Sequence, residues 1–444
     1  MVQARPGEAH LCLASPRWPR HILRPSVTFL RLLCLITARR LDYGKESIAF
    51  AALLIKWHAT LTVGANGMGK VLRTLFMAGL AIGLASPGLS RAQEGDTHGA
   101  GAVFVMTNAV DKNEVIAYRR ASNGTLQEAG KFATGGRGSG GNNDPLESQG
   151  SLRLSQDHSL LFAVNAGSGS VSVFSVNGSN LSLVDKVLSG GSEPNAVAQH
   201  GNLVYVVNVG GSSNVVGFTL DHGKLKQIPN STRFLSTNTS GAGGLAFSPD
   251  GRFLVVVERL TNDIDVFTVQ GDSTLSPIVE NPSAGPGAFS VSFAPNGAAL
   301  VSETGPSGVA NGSAISSYEI AANGTLSPIS TSVPTLGAAN CWNVVTPDGS
   351  FVYTSNAGSS TISGFTIAST GALTALPGTV VGTNPEGATN LDIAVSADGK
   401  FIYTLNSVAG AIGIFSVQKD GTLLNVGSAS GVSPLSGFNG IAAF

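Results

Sequence analysis

Apolar runs that end in a polar residue recur along most of this chain. The runs end at seven positions, which we call the anchor positions: Asn108, Asn165, Asn208, Glu258, Glu303, Asn356 and Asn406. A second apolar segment follows each anchor, for example SVSVFSV (170–176) and DIDVFTV (263–269). A turn and a leucine come next, as in DGTL (420–423), and turns such as SPDGRF (248–253) separate the units. Gly and Asn supply the positive φ that tight hairpins require.

Each unit of about 45–55 residues predicts four antiparallel strands, which is the size and strand count of a propeller blade. The sequence therefore predicts an all-β fold, a seven-bladed β-propeller. The first unit lacks its opening strand, because AVFVMTN (102–108) begins at the second position. GFNGIAAF (437–444) has the pattern of the missing strand, so we expect the C-terminal strand to close the ring. The even repeat favours a single domain over residues 93–444 rather than two packed domains.

The N-terminal 92 residues do not share this repeat. Residues 68–92 have the layout of a secretory signal: Lys70 and Arg73, an apolar stretch over 74–85, then Ser90-Arg91-Ala92. We expect cleavage near Ala92. Residues 1–67 precede a signal that belongs at the start of a protein, so we interpret them as the product of a start codon assigned too early. A genuine basic leader is the alternative.

Removal of residues 1–92 changes the charge of the chain. It leaves 14 basic and 24 acidic residues, a net charge of −10, so we expect no nucleic-acid partner. Cys341 is the one cysteine that remains, which excludes an intrachain disulfide. These features predict a monomeric bacterial protein that is periplasmic or secreted. No stretch reaches the roughly 18 apolar residues of a membrane-spanning helix.

Two of the seven anchors are carboxylates, and they are the candidate catalytic residues. Asn caps turns through its side chain, whereas Glu258 and Glu303 are less well explained by capping. If equivalent strand ends gather at the mouth of the central channel, two nearby carboxylates raise one pKa and supply a general base. A solvated or salt-bridged Glu is the alternative. The spacing from the preceding turn glycine to Glu303 is one residue shorter than the corresponding spacing to Glu258. Either that turn is shorter, which we favour, or Thr304 takes the anchor position.

Other candidate residues would bind a small polar or carbohydrate-like ligand in the channel. The loop 135–152 places Asp144, Glu147 and Gln149, followed by Arg153, where they could overhang the channel mouth; a plain flexible loop is the alternative. Trp342 is either a binding platform or a residue packed between blades. The amides of Asn165, Asn208 and Asn356 are further candidate donors. His98, His158, His200 and His222 show no metal-ligand spacing, so we predict no metal site and no cofactor.

The turns of DGTL type and the unit SPDGRF…VVVE…DIDVF resemble those of lactonase-like seven-bladed propellers, in particular an exported bacterial branch. This family includes the relatives of 6-phosphogluconolactonase and 3-carboxymuconate cyclase and the YVTN-repeat proteins. The resemblance implies the propeller fold and an acid at Glu258, while Ser302-Glu303 matches the family's Asn-Glu pair loosely. The family's catalytic His and Arg have no counterparts in 193–198, 241–247 and 285–293.

Two functions therefore remain open. The first is a hydrolase or cycloisomerase of lactone rings, with Glu258 as general base and with Arg153 and the Asn amides as donors to the developing oxyanion. The second is a propeller that binds a ligand or a protein without turnover, in keeping with the absent His and Arg.

Overall fold

Residues 101–444 are described by a computed structural model, and they form a ring of seven antiparallel blades. The predicted fold is confirmed. The predicted signal peptide and the residues before it lie outside the described residues. Within 101–444 the single helical element is a 3-10 turn, Ala166–Ser168, and no helix is long and apolar enough to cross a membrane.

The strands are numbered in chain order. Blade 1 contains β1 (Gly101–Met106), β2 (Glu114–Arg120), β3 (Leu126–Ala133) and the C-terminal strand β29 (Ile441–Ala443). Blade 2 contains β4 (Leu152–Leu154), β5 (Leu160–Asn165), β6 (Ser170–Asn177) and β7 (Asn180–Leu188). Blade 3 contains β8 (Ser192–His200), β9 (Leu203–Gly210), β10 (Asn214–Asp221), β11 (Lys224–Gln227) and the short β12 (Arg233–Phe234). Blade 4 contains β13 (Ala242–Phe247), β14 (Phe253–Glu258), β15 (Asp263–Thr268) and β16 (Val279–Pro282).

Blade 5 contains β17 (Ala288–Phe293), β18 (Ala299–Glu303), β19 (Ala314–Ile320) and β20 (Leu326–Pro334). Blade 6 contains β21 (Asn340–Val345), β22 (Phe351–Asn356), β23 (Thr361–Ile367) and β24 (Leu373–Thr383). Blade 7 contains β25 (Asn390–Val395), β26 (Phe401–Asn406), β27 (Ala411–Val417) and β28 (Leu423–Ala429).

The second strand of each blade is buried on both faces, which explains its continuous apolar sequence. In β14, Leu254 and Val256 pack into a cluster with residues of blade 3, whereas Val255 and Val257 pack with residues of blade 5. Successive side chains of a strand point to opposite faces, so each face of a blade meets a different neighbour. The core therefore runs around the whole ring between the blades.

The ring closes between the two ends of the described chain, as predicted. β29 pairs with β1 from Val103↔Ala443 to Val105↔Ile441, and so supplies the inner strand of blade 1. The nearly inaccessible Arg120 of β2 reaches Asp398 of blade 7, with its Nη1 3.4 Å from the carboxylate. The Arg120 guanidinium also lies 5.6 Å from the centre of the Phe401 ring.

The two faces of the ring differ. On the turn face, short turns join the inner strand to the second strand in blades 2 to 7. In several of these turns a Ser or Thr hydroxyl donates to an aspartate, as Ser248 does to Asp250 at 2.7 Å. On the opposite face, which we call the loop face, the second strands end at the anchor positions. The connection from blade 1 to blade 2 crosses this loop face.

Residues 142–149 of that connection, which we call the plug, contact several blades at once. Gly437 N–H donates to the Asn142 carbonyl at 2.9 Å, and Ser407 Oγ of blade 7 donates to Asn143 at 2.7 Å. Ser148 Oγ donates to the Asn195 carbonyl of blade 3 at 2.7 Å. The plug is therefore held to blades 3 and 7 by hydrogen bonds, and the ligand-binding role of this loop stays a prediction.

Gln149 makes the most extensive contacts of the plug. Its backbone N–H donates to the Gly243 carbonyl of blade 4 at 2.7 Å. Its side-chain Nε2 donates to the Asn343 carbonyl of blade 6 at 2.6 Å, and its Oε1 accepts from the Asn343 N–H at 3.4 Å. One residue thus joins the inner strands of two blades that are not adjacent.

We expect Gln149→Leu to destabilise the protein by about 1–3 kcal/mol, because the mutation leaves buried backbone groups of Asn343 without partners. Urea unfolding followed by tryptophan fluorescence measures this loss. Gln127→Leu is the matched control, since Gln127 is exposed on an outer strand and should change stability by less than about 0.5 kcal/mol. Equal midpoints for Gln149→Leu and the wild type would show that the plug does not brace the ring.

Candidate functional site

The anchor side chains are enclosed, and they hold the loops that lead to the inner strands. All seven are 0–1% exposed. Asn165 Nδ2 donates to Ser172 Oγ at 2.8 Å, and Thr134 Oγ1 donates to Asn165 Oδ1 at 2.6 Å. A Cβ at Gly136 would lie 2.4 Å from the Asn165 amide carbon, so the loop can approach because this residue is glycine. Asn208 and Asn356 occupy the same positions beneath Gly191 and Gly337.

Glu258 lies in this enclosed row as well. One carboxylate oxygen accepts from Ser236 N–H at 2.9 Å, and the other accepts from Ser236 Oγ and from Thr261 Oγ1, the latter at 2.7 Å. The side chain is 0% exposed and does not line the channel cavity described below. Its contacts give Glu258 a structural role; the general-base role stays a prediction.

Glu303 has the same register and a similar set of donors. It pairs with Ala288 as Glu258 pairs with Ala242, so the shorter turn is the correct interpretation and Thr304 does not replace it. Its carboxylate accepts from Gly285 N–H at 3.0 Å, Ser316 Oγ at 2.6 Å and Ser332 Oγ at 2.9 Å. Burial raises its pKa, against the effect of these hydrogen bonds. Glu303 does not line the cavity either.

Asp144 and Glu147, the two acidic residues predicted at the channel mouth, both lie in the plug. Asp144 accepts from Asn439 Nδ2 at 2.9 Å and from Glu147 N–H at 3.1 Å. Loss of hydration raises the pKa of Asp144 to about 7. Glu147 forms an ion pair with Arg259, the residue that follows the anchor Glu258. Both acids are thus engaged in holding the plug.

Trp342 lies beneath the plug. Its indole N–H donates to the Ser148 carbonyl at 3.0 Å, and its ring meets Phe289 edge to face, with centroids 5.2 Å apart. The side chain is 1% exposed, which matches the packed role rather than an open binding platform.

The plug also contacts two of the three stretches in which the family that the sequence resembles places its His and Arg. Carbonyls of Asn195 and Gly243, within 193–198 and 241–247, accept from the plug. A ligand cannot reach those strand ends without displacing hydrogen-bonded backbone. The plug therefore occupies the loop-face end of the channel at these two strands.

A cavity of about 570 Å³ occupies the channel between the plug and the turn face. All seven inner strands line it, and Gln149 and Gly150 form the end nearest the plug. The opposite end is bounded by turn residues that are exposed to solvent: Gln156, Pro249, Pro347 and Ala397. Of the residues predicted to form the site, the structure places Gln149 and Arg153 on this cavity.

Arg153 is the one lysine or arginine that lines this cavity within residues 101–444. It lies two residues before the turn, where other blades carry Ala246, Ser292, Val344 and Ala394. In the described part of the chain, no hydrogen bond and no carboxylate within 4.0 Å engages its guanidinium. Burial lowers its pKa, and the nearby Asp392 charge opposes that shift. Arg153 is therefore a desolvated donor available to a ligand.

Asp392 is the carboxylate that lines the same cavity. It is the bulged residue of β25, with a φ of +49°, and it is 3% exposed. Its oxygens accept from Ile393 N–H at 2.8 Å and from Ile441 N–H at 3.1 Å. Loss of hydration raises its pKa to about 7, and the Arg153 charge acts in the opposite direction.

Sequence reasoning missed Asp392 because the prediction followed the ends of the second strands. Comparison of the inner strands position by position would have marked both Arg153 and Asp392, since their counterparts are mostly small or apolar. Together they give the cavity a cation and a carboxyl group that titrates near neutral pH. His158 and His200 add imidazoles nearer the turn face.

Comparisons with known proteins agree with this architecture. The family model described as lactonase, 7-bladed beta-propeller, matches residues 102–238 and 212–335. No curated protein matches the chain. A proposed 6-phosphogluconolactonase from Bacteroides uniformis is similar in structure, with a TM-score of 0.58, 18% identity, and coverage of 77% of this chain and 99% of that chain.

Two further solved structures have the same fold. The periplasmic gluconolactonase of Pseudomonas aeruginosa has a TM-score of 0.57 at 16% identity, covering 77% of this chain and 99% of its own. A protein of unknown function from Desulfotomaculum acetoxidans has a TM-score of 0.58 at 16% identity, covering 78% and 99%. At such identities these likenesses concern the fold alone. The matched family segments span more than half of the sequence, and the protein belongs to the lactonase family of seven-bladed β-propellers.

Proposed function

We propose that this protein is exported and that it opens or isomerises a lactone ring bound in the channel cavity. The observation that supports the proposal is the Arg153 guanidinium, free of protein partners in the described chain, in a cavity that also contains Asp392. Export is supported by the signal-like sequence of residues 68–92. The proposed ligand is small and polar, and we propose that a monomer is sufficient.

In a hydrolytic reaction, Asp392 as a carboxylate removes a proton from water while the water oxygen attacks the lactone carbonyl carbon. The carbonyl oxygen becomes negative in the tetrahedral intermediate, and the N–H groups of Arg153 stabilise that charge. The ring C–O bond then breaks, and the proton held by Asp392 passes to the leaving alkoxide. The products are the open-chain hydroxy acid and the unprotonated Asp392.

The second candidate function is ligand binding without turnover. The plug contacts two of the three strand ends where other family members carry His and Arg, and each oxygen of Asp392 already accepts a backbone N–H. A site of this kind can bind a polar anion through Arg153 while it lacks a free base. The two functions differ in whether the bound lactone is consumed.

We expect kcat/KM for a lactone substrate to rise about tenfold per pH unit below pH 7 and to level off above it, because Asp392 must be unprotonated to act as a base. The panel contains sugar δ-lactones and muconolactone-type γ-lactones, with protein expressed from Met68 and exported. Asp392→Asn should abolish the rate at every pH. Asp221→Asn is the control, since Asp221 is 86% exposed.

Glu258→Gln belongs in the same experiment. A rate lost in Glu258→Gln and kept in Asp392→Asn would overturn the assignment of Asp392 and restore Glu258 as the base. No turnover by the wild type on any lactone would leave the binding function as the one to pursue.

We expect Arg153→Met to lower kcat/KM by about 10²–10³, the usual loss for one donor to an oxyanion. Arg137→Met, at an exposed arginine on the loop face, should leave the rate unchanged. Thermal shift with the corresponding aldonic acids gives a second measurement, because a bound ligand raises the melting temperature. A shift without turnover that disappears in Arg153→Met would support the binding propeller; equal behaviour of the two arginine variants would place the site elsewhere.

A further inference from the structure

Asp265 occupies a position in blade 4 where three other blades carry a serine. In each blade this residue lies two positions after the residue that pairs with the anchor, on the third strand. Its counterparts touch their anchors directly. Ser172 Oγ accepts from Asn165 at 2.8 Å, Ser363 Oγ accepts from Asn356 at 2.8 Å, and Ser316 Oγ donates to Glu303 at 2.6 Å.

The repeat therefore places the Asp265 carboxyl group against the Glu258 carboxyl group. Both side chains are 0% exposed. Glu258 accepts from the Ser236 N–H, the Ser236 hydroxyl and the Thr261 hydroxyl. Asp265 has no donor: within the described chain neither of its oxygens has a hydrogen-bond partner. A buried carboxylate without donors is strongly disfavoured, so Asp265 requires a proton or another cation.

The charged groups that act on Asp265 are all acidic. Glu258 is on β14, Asp263 precedes it on β15, and Glu280 of β16 pairs with it across the strands. The loop that closes over Glu258 presents the neutral Ser236. Loss of hydration, contact with Glu258 and these like charges raise the pKa of Asp265 to about 10. The residues 101–444 contain no group of three or more His, Cys, Asp or Glu side chains that could hold a metal ion.

We propose that Glu258 and Asp265 share one proton, with the Asp265 hydroxyl donating to the Glu258 carboxylate, and that the folded propeller requires this proton. A hydroxyl donor then faces the anchor carboxylate in blade 4 just as Ser316 does in blade 5. The shared proton also explains how two acids can be buried side by side in blade 4 without a basic partner.

The proposal sets the direction in which stability changes with pH. An unfolded Asp loses its proton at about pH 4, whereas the folded protein keeps the shared proton to a much higher pH. Over that range the native state holds one proton more than the unfolded state, so a rise in pH favours unfolding. The contribution of the pair to the unfolding constant is up to about tenfold per pH unit.

Asp265→Asn removes the need for the proton, because an amide of the same shape donates to Glu258 at every pH. We expect the ratio of the unfolding constants of wild type and Asp265→Asn to rise by up to about tenfold per unit between about pH 5 and pH 9. The variant should be the more stable protein at the alkaline end. Asp221→Asn, at an exposed aspartate, should follow the wild type throughout.

Infrared spectroscopy detects the proton itself. At about pH 8.5, Asp144 and Asp392 should be largely ionised, since each has a pKa of about 7. The C=O stretching band of a protonated carboxylic acid should therefore be present in the wild type and reduced in Asp265→Asn. Because burial also raises the pKa of Glu303, the difference between wild type and variant, and not the wild-type band alone, assigns the proton to the pair. If Asp265→Asn does not fold, Asp265→Ser reproduces the residue type of the other three blades and supplies the same comparison.

The absence of the protonated-acid band from the wild type would overturn the proposal, as would an unfolding constant with the same pH dependence in wild type and Asp265→Asn. Addition of Ca²⁺ distinguishes a shared proton from a metal ion bound between the two carboxylates. If Ca²⁺ raised the melting temperature of the wild type but not of Asp265→Asn, and a chelator lowered it, a metal ion rather than a proton would lie between the carboxylates.

Discussion

The structure depends on the burial of the second strand of every blade between two neighbouring blades. A polar group left unsatisfied at the end of such a strand is costly, because water does not reach the strand end beneath the loop. At each anchor position the side chain must therefore find its partners in the covering loop and in the third strand. This requirement explains the row of asparagines, the glycines that allow the loops to approach, and the hydroxyl residues around Glu303.

The same requirement applies to the two anchor carboxylates, and they meet it in different ways. Glu303 meets it with serine hydroxyls and a backbone N–H, all neutral donors. Glu258 has similar donors on one side and an acid on the other. A residue that departs from the repeat needs partners that differ from those of its counterparts. Such a residue can serve stability as well as catalysis.

The plug determines where chemistry in the channel can take place. It joins inner strands of blades that are not adjacent, and it contacts two of the three strand ends at which the family pattern places His and Arg. The accessible part of the channel then lies toward the turn face, where Arg153 and Asp392 contribute the charges. The blades thus follow the family fold, while the plug occupies one end of the channel and the charged residues Arg153 and Asp392 line the cavity toward the other.

The repeat pattern in the sequence is enough to predict the propeller, the number of blades and the closing strand. Those features follow from local periodicity and from turn residues that repeat seven times. Each repeat has the same pattern of apolar and polar residues, and so the same pattern of burial. The sequence also predicts Arg153 and Gln149 as residues near the channel. Only the folded chain shows that the plug contacts several blades and that the side chains of Trp342 and the anchors are enclosed. It also shows that Asp392 lines the same cavity as Arg153. Those facts depend on contacts between blades far apart in sequence. The buried position of Asp265 against Glu258 likewise depends on strand register and on the loop that excludes water, and neither is encoded in the local pattern DIDVF.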